Sequence, residues 1–506
     1  MRKPMIKISF LLFSLLVATG MLAQRRMENL GRGLIALWQS KDSVFISWRL
    51  LGTDPANIAF NLYRFTHNKT VKLNSKPITQ NTCYMDTKAN TAHPNTYSVK
   101  PLINGKEGEA GKSFTLTADS PVRKYISLPL KNIEGYTPND ASVGDLDGDG
   151  EYEIVLLQAG RGKDNPSKGF TDPPIIQAYK LDGTLMWTIN LGRNIREGAH
   201  YTQFMVYDLD GDGMAEVAMK TADGTIDGKN QVIGDASKNW VDKDGKILNG
   251  PEYFTLFNGL TGEALATTGY IPDRYPTDAW GGHGGNGGND NNGNRVDRFL
   301  ACVAYLDGLL PSVVMCGGYY GRSVLAAWDW RGGKVTSRWV FDSKDRENPY
   351  SGQGYHNLSV TDVDGDGKDE IVYGSMVIDD NGKGLFTTGL RHGDALHVSD
   401  LDVSREGLEV FGVHEIEENT KGAGAAIYNA RTGEIYWKGN MNEDAGRGVA
   451  ENIDPINPGA EMWWSGSNGL YDMKGERIGD NPPSANFLIW WDGDFTRELL
   501  DGNHID

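Results

Sequence analysis

The sequence predicts an all-β chain, a β-propeller preceded by a small antiparallel, sandwich-like β domain, and three observations carry that prediction. A nine-residue acidic pattern, Asp-x-Asp-Gly-Asp-Gly-x-x-Glu, occurs at Asp145 to Glu153, at Asp208 to Glu216 and at Asp362 to Glu370. Short strand-like segments recur with a period of roughly 40 to 60 residues, the spacing of propeller blades. Glycine is abundant at 64 residues and no long amphipathic helical pattern interrupts the strands, as in a turn-rich β protein.

Taken in order, the chain opens on a basic stretch, Met1 to Lys7, then an apolar run, Ile8 to Ala18, ending among small residues. Residues 1–23 read as a secretory signal peptide, too short to cross a bilayer. The protein is thus expected to be secreted or periplasmic, with no membrane span. Residues 25–125 alternate apolar and polar positions, as in Ser43 to Trp48, Ala59 to Tyr63 and Thr96 to Val99, and lack the acidic pattern. A small antiparallel sandwich in a supporting role is the prediction.

Residues 135–506 repeat, with segments starting near Asn139, His200, Arg295, Tyr355, Gly393, Arg447 and Asn486. Two decayed acidic loops, Asp400/Asp402/Glu409 and Asn452/Asp454/Glu461, mark the same place in their segments. Gly281 to Gly293 reads as a mobile or ligand-facing loop between segments and Asp223 to Glu252 as a long insertion, functional or merely solvated. A ring must close to hide its edges. The end at Asp506, soon after Phe487 to Trp491, therefore predicts an abbreviated last blade or an incomplete C-terminal part.

The acidic loops carry hard-cation chemistry. Positions 1, 3 and 5 supply carboxylates (Asp145, Asp147 and Asp149; Asp208, Asp210 and Asp212; Asp362, Asp364 and Asp366), glycines permit the turn, and Glu153, Glu216 or Glu370 closes the shell. Calcium is the favoured ion. The glutamate stands at position 9 rather than 12, and strands flank the loop, so this is not an EF-hand. Because many of the carboxylates sit in these loops, the net charge of −17 argues against nucleic acid but says little about a substrate. Cys83, Cys302 and Cys316 make no disulfide framework. Cys302 and Cys316 fall in neighbouring strands, where buried thiols are favoured over a bond.

The strings Ala199 to Gly213, Ala218 to Thr225, Asn294 to Gly308 and Trp490 to Asp494 closely resemble rhamnogalacturonan lyases of polysaccharide lyase family 11, a similarity running from about Leu30 to the end. The resemblance implies an eight-bladed, calcium-binding propeller behind a small β domain. It also implies β-elimination at rhamnose-(1→4)-galacturonate bonds of the pectic rhamnogalacturonan I backbone. A pectic polysaccharide or oligosaccharide is then the partner, and a monomer is expected.

On their own, His356, His392 and Asp394 read as structural residues, since imidazole is an unusual calcium ligand. The resemblance implies that they form an active-centre calcium site. Arg447, flanked by glycines at a segment start, is the expected catalytic and substrate-binding residue, holding a uronate carboxylate through two hydrogen bonds. Asn139 resembles a sugar contact of the family. Lys220 is a tempting base, but its place at a strand end makes a surface or supporting role the better reading. His397 reads as a hydrogen-bonded core histidine. Trp463, Trp464, Trp490 and Trp491 offer stacking surfaces, though paired tryptophans in blade strands more often pack. Ala159 stands where family members carry an acidic sugar-binding residue, and this departure leaves a non-catalytic, sugar-binding propeller as the alternative to a lyase.

Overall fold

The computed structural model describes residues 25–282, 292–344, 346–416, 421–440, 444–480, 482, 484–491, 496–502 and 504–505. The expected signal peptide, most of the Gly281 to Gly293 loop and Asp492 to Asp494 lie outside them. Among the described residues no helix is long and apolar enough to cross a membrane.

Strand periodicity builds the N-terminal unit. In Ile35–Trp38 and Val44–Ser47 the alternate residues Ala36, Trp38, Val44 and Ile46 are buried at 0–1% exposure, as expected where one face of a pleated strand meets a core. These two strands and Cys83–Asp86 form one sheet. A second sheet is built on Ala59–Thr66 and Asn95–Ile103. Between them Trp38, Trp48, Phe60, Leu62 and Tyr97 make a single core. Arg64 is ion-paired with Asp86 inside it, and Tyr97 OH donates to the same carboxylate (3.0 Å).

Seven antiparallel sheets follow among the described residues, here numbered 1 to 7. Their first strands are Thr137–Gly144, Phe204–Tyr207, Phe299–Ala304, Ser359–Thr361, Gly393–Ser399, Gly448–Glu451 and Phe487–Ile489. The first strands of sheets 1 to 6 each touch the first strand of the next sheet, the arrangement of consecutive propeller blades. Sheets 2 to 6 have four strands, sheet 7 three, and sheet 1 six. The seven segment starts read from the sequence coincide with these sheets.

The hydrophobic core is divided into layers, one between each pair of neighbouring sheets. Val155, Ile176, Trp187, Val206 and Met219 join sheets 1 and 2, whereas Phe411, Val413, Ala450 and Met462 join sheets 5 and 6. With about 1.5–3 kcal/mol from each large side chain fully buried, every layer rivets two sheets, and the strand ends facing the axis are left for chemistry. Trp463 and Trp464 belong to this packing at 1% and 5% exposure; Trp490 and Trp491 are exposed.

The extra strands of sheet 1 come from the insertion. Thr225–Ile226 and Val232–Ile233 form a hairpin that pairs with Leu185–Asn190 through Asn190 and Ile226. Just before the hairpin, Asp223 accepts from Asn194 Nδ2 through its carbonyl (2.8 Å) and from Trp240 Nε1 through its carboxylate (3.0 Å). This segment is therefore a built extension of the sheet. Residues 25–31 run across several loops: Gly31 N donates to Gly150 O (2.6 Å), Arg26 N to Leu309 O (2.9 Å), and Arg25 pairs with Asp369 (2.9 Å).

Register explains the cysteines. Cys302 is opposite Val314 and Cys316 opposite Leu300, so the two thiols do not face each other, and both are free and buried. Of the two readings of Lys220, surface or supporting, the structure excludes the surface one. Lys220 is 5% exposed, its ammonium sits 2.9 Å from Glu252 and 3.6 Å from the Phe299 ring centre, and Arg274 shares that carboxylate. The reason is the full burial of strand Glu216–Ala222 on both faces, which forces its one basic side chain to be paired.

Candidate active site

The acidic loops are the hairpins between the first and second strands of sheets 1, 2 and 4. In the first, Asp145 Oδ1 accepts from Gly148 N (2.8 Å) and Asp149 N (3.1 Å), and Oδ2 from Gly150 N (2.7 Å). Asp208 and Asp362 make the same three bonds in their loops. Wrapping three amides round one carboxylate needs left-handed backbone at the two glycines, and Gly148 and Gly150 have φ of 76° and 85°, which is why glycine recurs there. The closing glutamates accept from the position-2 amide through one oxygen, at 2.9, 2.9 and 2.8 Å for Glu153, Glu216 and Glu370.

One oxygen from each glutamate and one each from positions 1 and 3 fall within a cluster no wider than 4.8 Å (Asp145/Asp147/Glu153, Asp208/Asp210/Glu216, Asp362/Asp364/Glu370). Glu370 Oε1 and Asp210 Oδ1 are buried without a hydrogen-bond partner. Burial pushes the Glu153 carboxyl up to about 7 and those of Glu216 and Glu370 to about 8, with neighbouring aspartates adding to the rise. Desolvated, mutually repelling oxygens fit a hard divalent cation, whose charge would reverse those shifts. The position-5 aspartates also brace the turn: Asp149, Asp212 and Asp366 each accept from the amide two residues on, at 3.0, 2.9 and 2.9 Å.

A second, chemically different cluster lies where sheets 3, 4 and 5 adjoin. His356 precedes the first strand of sheet 4, His392 and Asp394 open that of sheet 5, and a parallel bridge between Tyr355 and Gly393 ties the two segments together. His356, His392 and Asp394 each bring a ligand atom within 4.8 Å of the others. His356 Nε2 is 3.3 Å from Asp394 Oδ1, and His392 Nε2 is 3.5 Å from Glu415 Oε1. His392 Nδ1 is bonded to the carbonyl of Gly354 at 2.6 Å, so this nitrogen carries the proton and Nε2 presents its lone pair to the cluster. That Nε2 is buried with no hydrogen-bond partner. The donor set fits a divalent cation of mixed nitrogen and oxygen preference better than the all-oxygen loops do.

Burial sets the charge state. It drives the His356 imidazole down to about 3, with His200 adding to the effect, and His392 well below its ordinary value. It pushes Asp394 up to about 6, Asp444 adding and Arg447 opposing. Both imidazoles are therefore neutral near pH 7, free to act as acceptors or ligands. Aromatic residues wall the cluster: Tyr320 OH is 3.1 Å from His356 Nε2, Tyr319 OH is 3.2 Å from His356 Nδ1 and 3.4 Å from His200 Nδ1, and the Tyr319 ring stacks on His392 at 5.5 Å. Arg295 lies over the Tyr320 ring at 4.1 Å.

Arg447 opens sheet 6 with an exposed guanidinium. Its Nε donates to Asn486 Oδ1 (3.2 Å), and its charge acts on both Asp394 and His356. The structure thus groups His356, His392 and Asp394 with Arg447 nearby. Asn139 is exposed on the first strand of sheet 1, its Oδ1 accepting from Asp140 N (2.7 Å). His397 bonds the backbone of Gly448 as a core residue. Sequence reasoning missed His200, Tyr319, Tyr320 and Glu415. The signals were present: Gly-Gly-Tyr-Tyr-Gly directly after a buried strand, and an acidic residue following His414 at a strand end.

Comparison with known proteins agrees with this geometry. Residues 130–506 match the model of the rhamnogalacturonan lyase family 11 C-terminal domain, and residues 25–116 that of the rhamnogalacturonan I lyase β-sheet domain. The chain is 51% identical over 498 residues to the rhamnogalacturonan exolyase YesX of Bacillus subtilis, covering 94% of this chain and 78% of the relative. It is 49% identical to the endolyase YesW of the same organism, covering 96% of this chain and 76% of the relative. Among solved structures, a Bacillus licheniformis rhamnogalacturonan lyase superposes with a TM-score of 0.88 at 50% identity, over 96% of this chain and 81% of that one. Matched along nearly its whole length in sequence and in fold, the chain belongs to rhamnogalacturonan lyase family 11.

Proposed function

We propose that this lyase cleaves rhamnose-(1→4)-galacturonate bonds of rhamnogalacturonan I by β-elimination, and that it does so where His356, His392, Asp394 and Glu415 converge beside Arg447. The observation that carries the placement is the buried, unpartnered His392 Nε2 aimed at neighbouring carboxylates. In the elimination a base takes the proton at C5 of galacturonate, and the C5–H electron pair becomes the C4–C5 double bond. The C4–O4 bond breaks with its pair left on O4, which departs with the rhamnose-side product after protonation. The C5 proton is weakly acidic while the adjacent carboxylate keeps its full negative charge. Arg447 is placed to offset that charge: it forms no ion pair among the described residues, and Asn486 orients its fork. A guanidinium in that position binds a carboxylate through two hydrogen bonds and stabilises charge developing as C5 is deprotonated.

His356, His392, Asp394 and Glu415 would hold a divalent cation, which would supply a second positive charge against the uronate. Tyr319 and Tyr320 fix the His356 ring from both nitrogens and narrow the access of water. In the hairpins of sheets 1, 2 and 4 the ion is calcium, with a structural role. The substrate is pectic polysaccharide or oligosaccharide, met outside the cytoplasm by a protein whose first 23 residues act as an export signal. Residues 25–125 act as a support that grips the first acidic loop through Gly31 and Gly150.

Arg447→Ala is expected to lower kcat/KM on rhamnogalacturonan I by about 100-fold, near 2.7 kcal/mol of transition-state stabilisation. Arg447→Lys, which keeps the charge without the fork, should fall in between. Unchanged rates for Arg447→Ala would remove this residue from the reaction.

A further inference from the structure

Directly beneath the histidine cluster lies a fully buried polar strut that the reaction as described does not use. Tyr355 and His414, both 0% exposed, immediately precede His356 and Glu415 in the chain. Tyr355 OH is 2.8 Å from His414 Nδ1 and 3.1 Å from Ser375 Oγ. Ser375 Oγ donates to the Arg391 carbonyl (2.8 Å), to which the His414 ring is also bonded. Arg391 in turn precedes His392. One closed network therefore joins the residues next to three members of the cluster.

Two features show that the backbone is arranged around this network. Space for the Tyr355 ring is made by glycines: a Cβ on Gly374, Gly393 or Gly412 would come within 2.3, 2.9 and 2.8 Å of the Tyr355 side chain. Arg391 is a non-glycine residue at φ 72°, a left-handed conformation that L-residues with a Cβ avoid and that persists where the surroundings over-determine it. Here Gln353 Oε1 accepts from its amide (3.1 Å), Ser351 O from its guanidinium (2.9 Å), and Ser375 and His414 hold its carbonyl. The backbone bonds Glu415 N to His392 O (3.2 Å) and His356 N to Gly393 O (3.3 Å) complete the frame.

We propose that Tyr355 and His414 are positioning residues, whose mutual hydrogen bond sets the spacing of His356, His392 and Glu415. The proposal rests on the assignment of the active site to that cluster. The network touches no substrate, so it acts through the geometry of the groups above it, and a small displacement of such groups is costly to catalysis.

The test compares Tyr355→Phe, His414→Leu, His414→Gln and His392→Ala on rhamnogalacturonan I, with kcat, KM and melting temperature read for each. Tyr355→Phe and His414→Leu are expected to lower kcat at least tenfold with KM within about twofold. His414→Gln, which keeps a polar partner for the Tyr355 hydroxyl, should retain at least fivefold more kcat than His414→Leu. Wild-type kcat in Tyr355→Phe, alongside an inactive His392→Ala, would overturn the positioning role and leave the site standing. Activity in His392→Ala would overturn the site assignment and the proposal with it. If Tyr355→Phe proves unstable, the two His414 variants decide: equal kcat in both would overturn the proposal.

Discussion

Stripping divalent cations should lower the melting temperature by on the order of 5–10 °C, and the loss should grow as pH rises from about 5 to about 8. Each of the three acidic loops, saturated at about 100 times its dissociation constant, contributes about 2.7 kcal/mol through linkage. Three together approach roughly 8 kcal/mol, and in a chain of this size each kcal/mol moves the midpoint by about a degree. The pH dependence follows from the raised carboxyls. In the metal-free fold Glu153, Glu216 and Glu370 hold their protons up to about 7 or 8, above the ordinary glutamate value. Below that ordinary value the raised groups give their full stabilisation; it is lost as pH climbs through the folded values. With calcium bound, the carboxylates are already ionised and the decline should disappear. A melting curve indifferent to chelation at pH 8 would contradict the structural role of the loops.

Glu252→Gln should destabilise the protein by about 3–5 kcal/mol, the range for a buried ion pair that loses one partner. Glu252 accepts from Lys220 at 2.9 Å and from Arg274 Nε at 3.1 Å, and Arg274 also reaches Asp297 at 3.4 Å. All four side chains are at most 10% exposed. Two cations balance two anions, so removing one carboxylate leaves two buried positive charges against a single acid. Cutting the exposed Lys168–Asp244 pair at 3.0 Å should instead leave stability almost unchanged, because water screens that pair. Chemical denaturation of the two variants checks the contrast, and equal effects would contradict the assignment of Glu252 as a buried counter-ion.

The fold was legible where local chemistry dictates it. The acidic loops announce a hairpin, because glycines at positions 4 and 6 and a carboxylate at position 1 admit one backbone path, and their spacing marked the sheets. His356, His392 and Asp394 stood at segment starts, which the repeat made legible, whereas their grouping into one site was implied by the resemblance to the family. The sequence left Lys220 open between surface and supporting roles because its burial depends on Glu252, Arg274 and Phe299, which are distant in sequence or lie in another sheet. Tyr319 and Tyr320 were missed for the same reason: they approach His356 across sheets 3 and 4, a contact no local pattern encodes. Glu415 and the Tyr355–His414 bond belong to this class as well. Tertiary pairing decides these positions, and periodicity is blind to it.

The central claim, elimination at the histidine–aspartate cluster, is tested most directly by following ultraviolet absorbance while the calcium-loaded protein acts on rhamnogalacturonan I, with His392→Ala beside it. Unsaturated uronate ends should give a steady rise for the wild-type chain, and the variant, shown by its cooperative melt to remain folded, should give a flat trace. Saturable oligosaccharide binding without any rise in absorbance from the wild-type chain would contradict it.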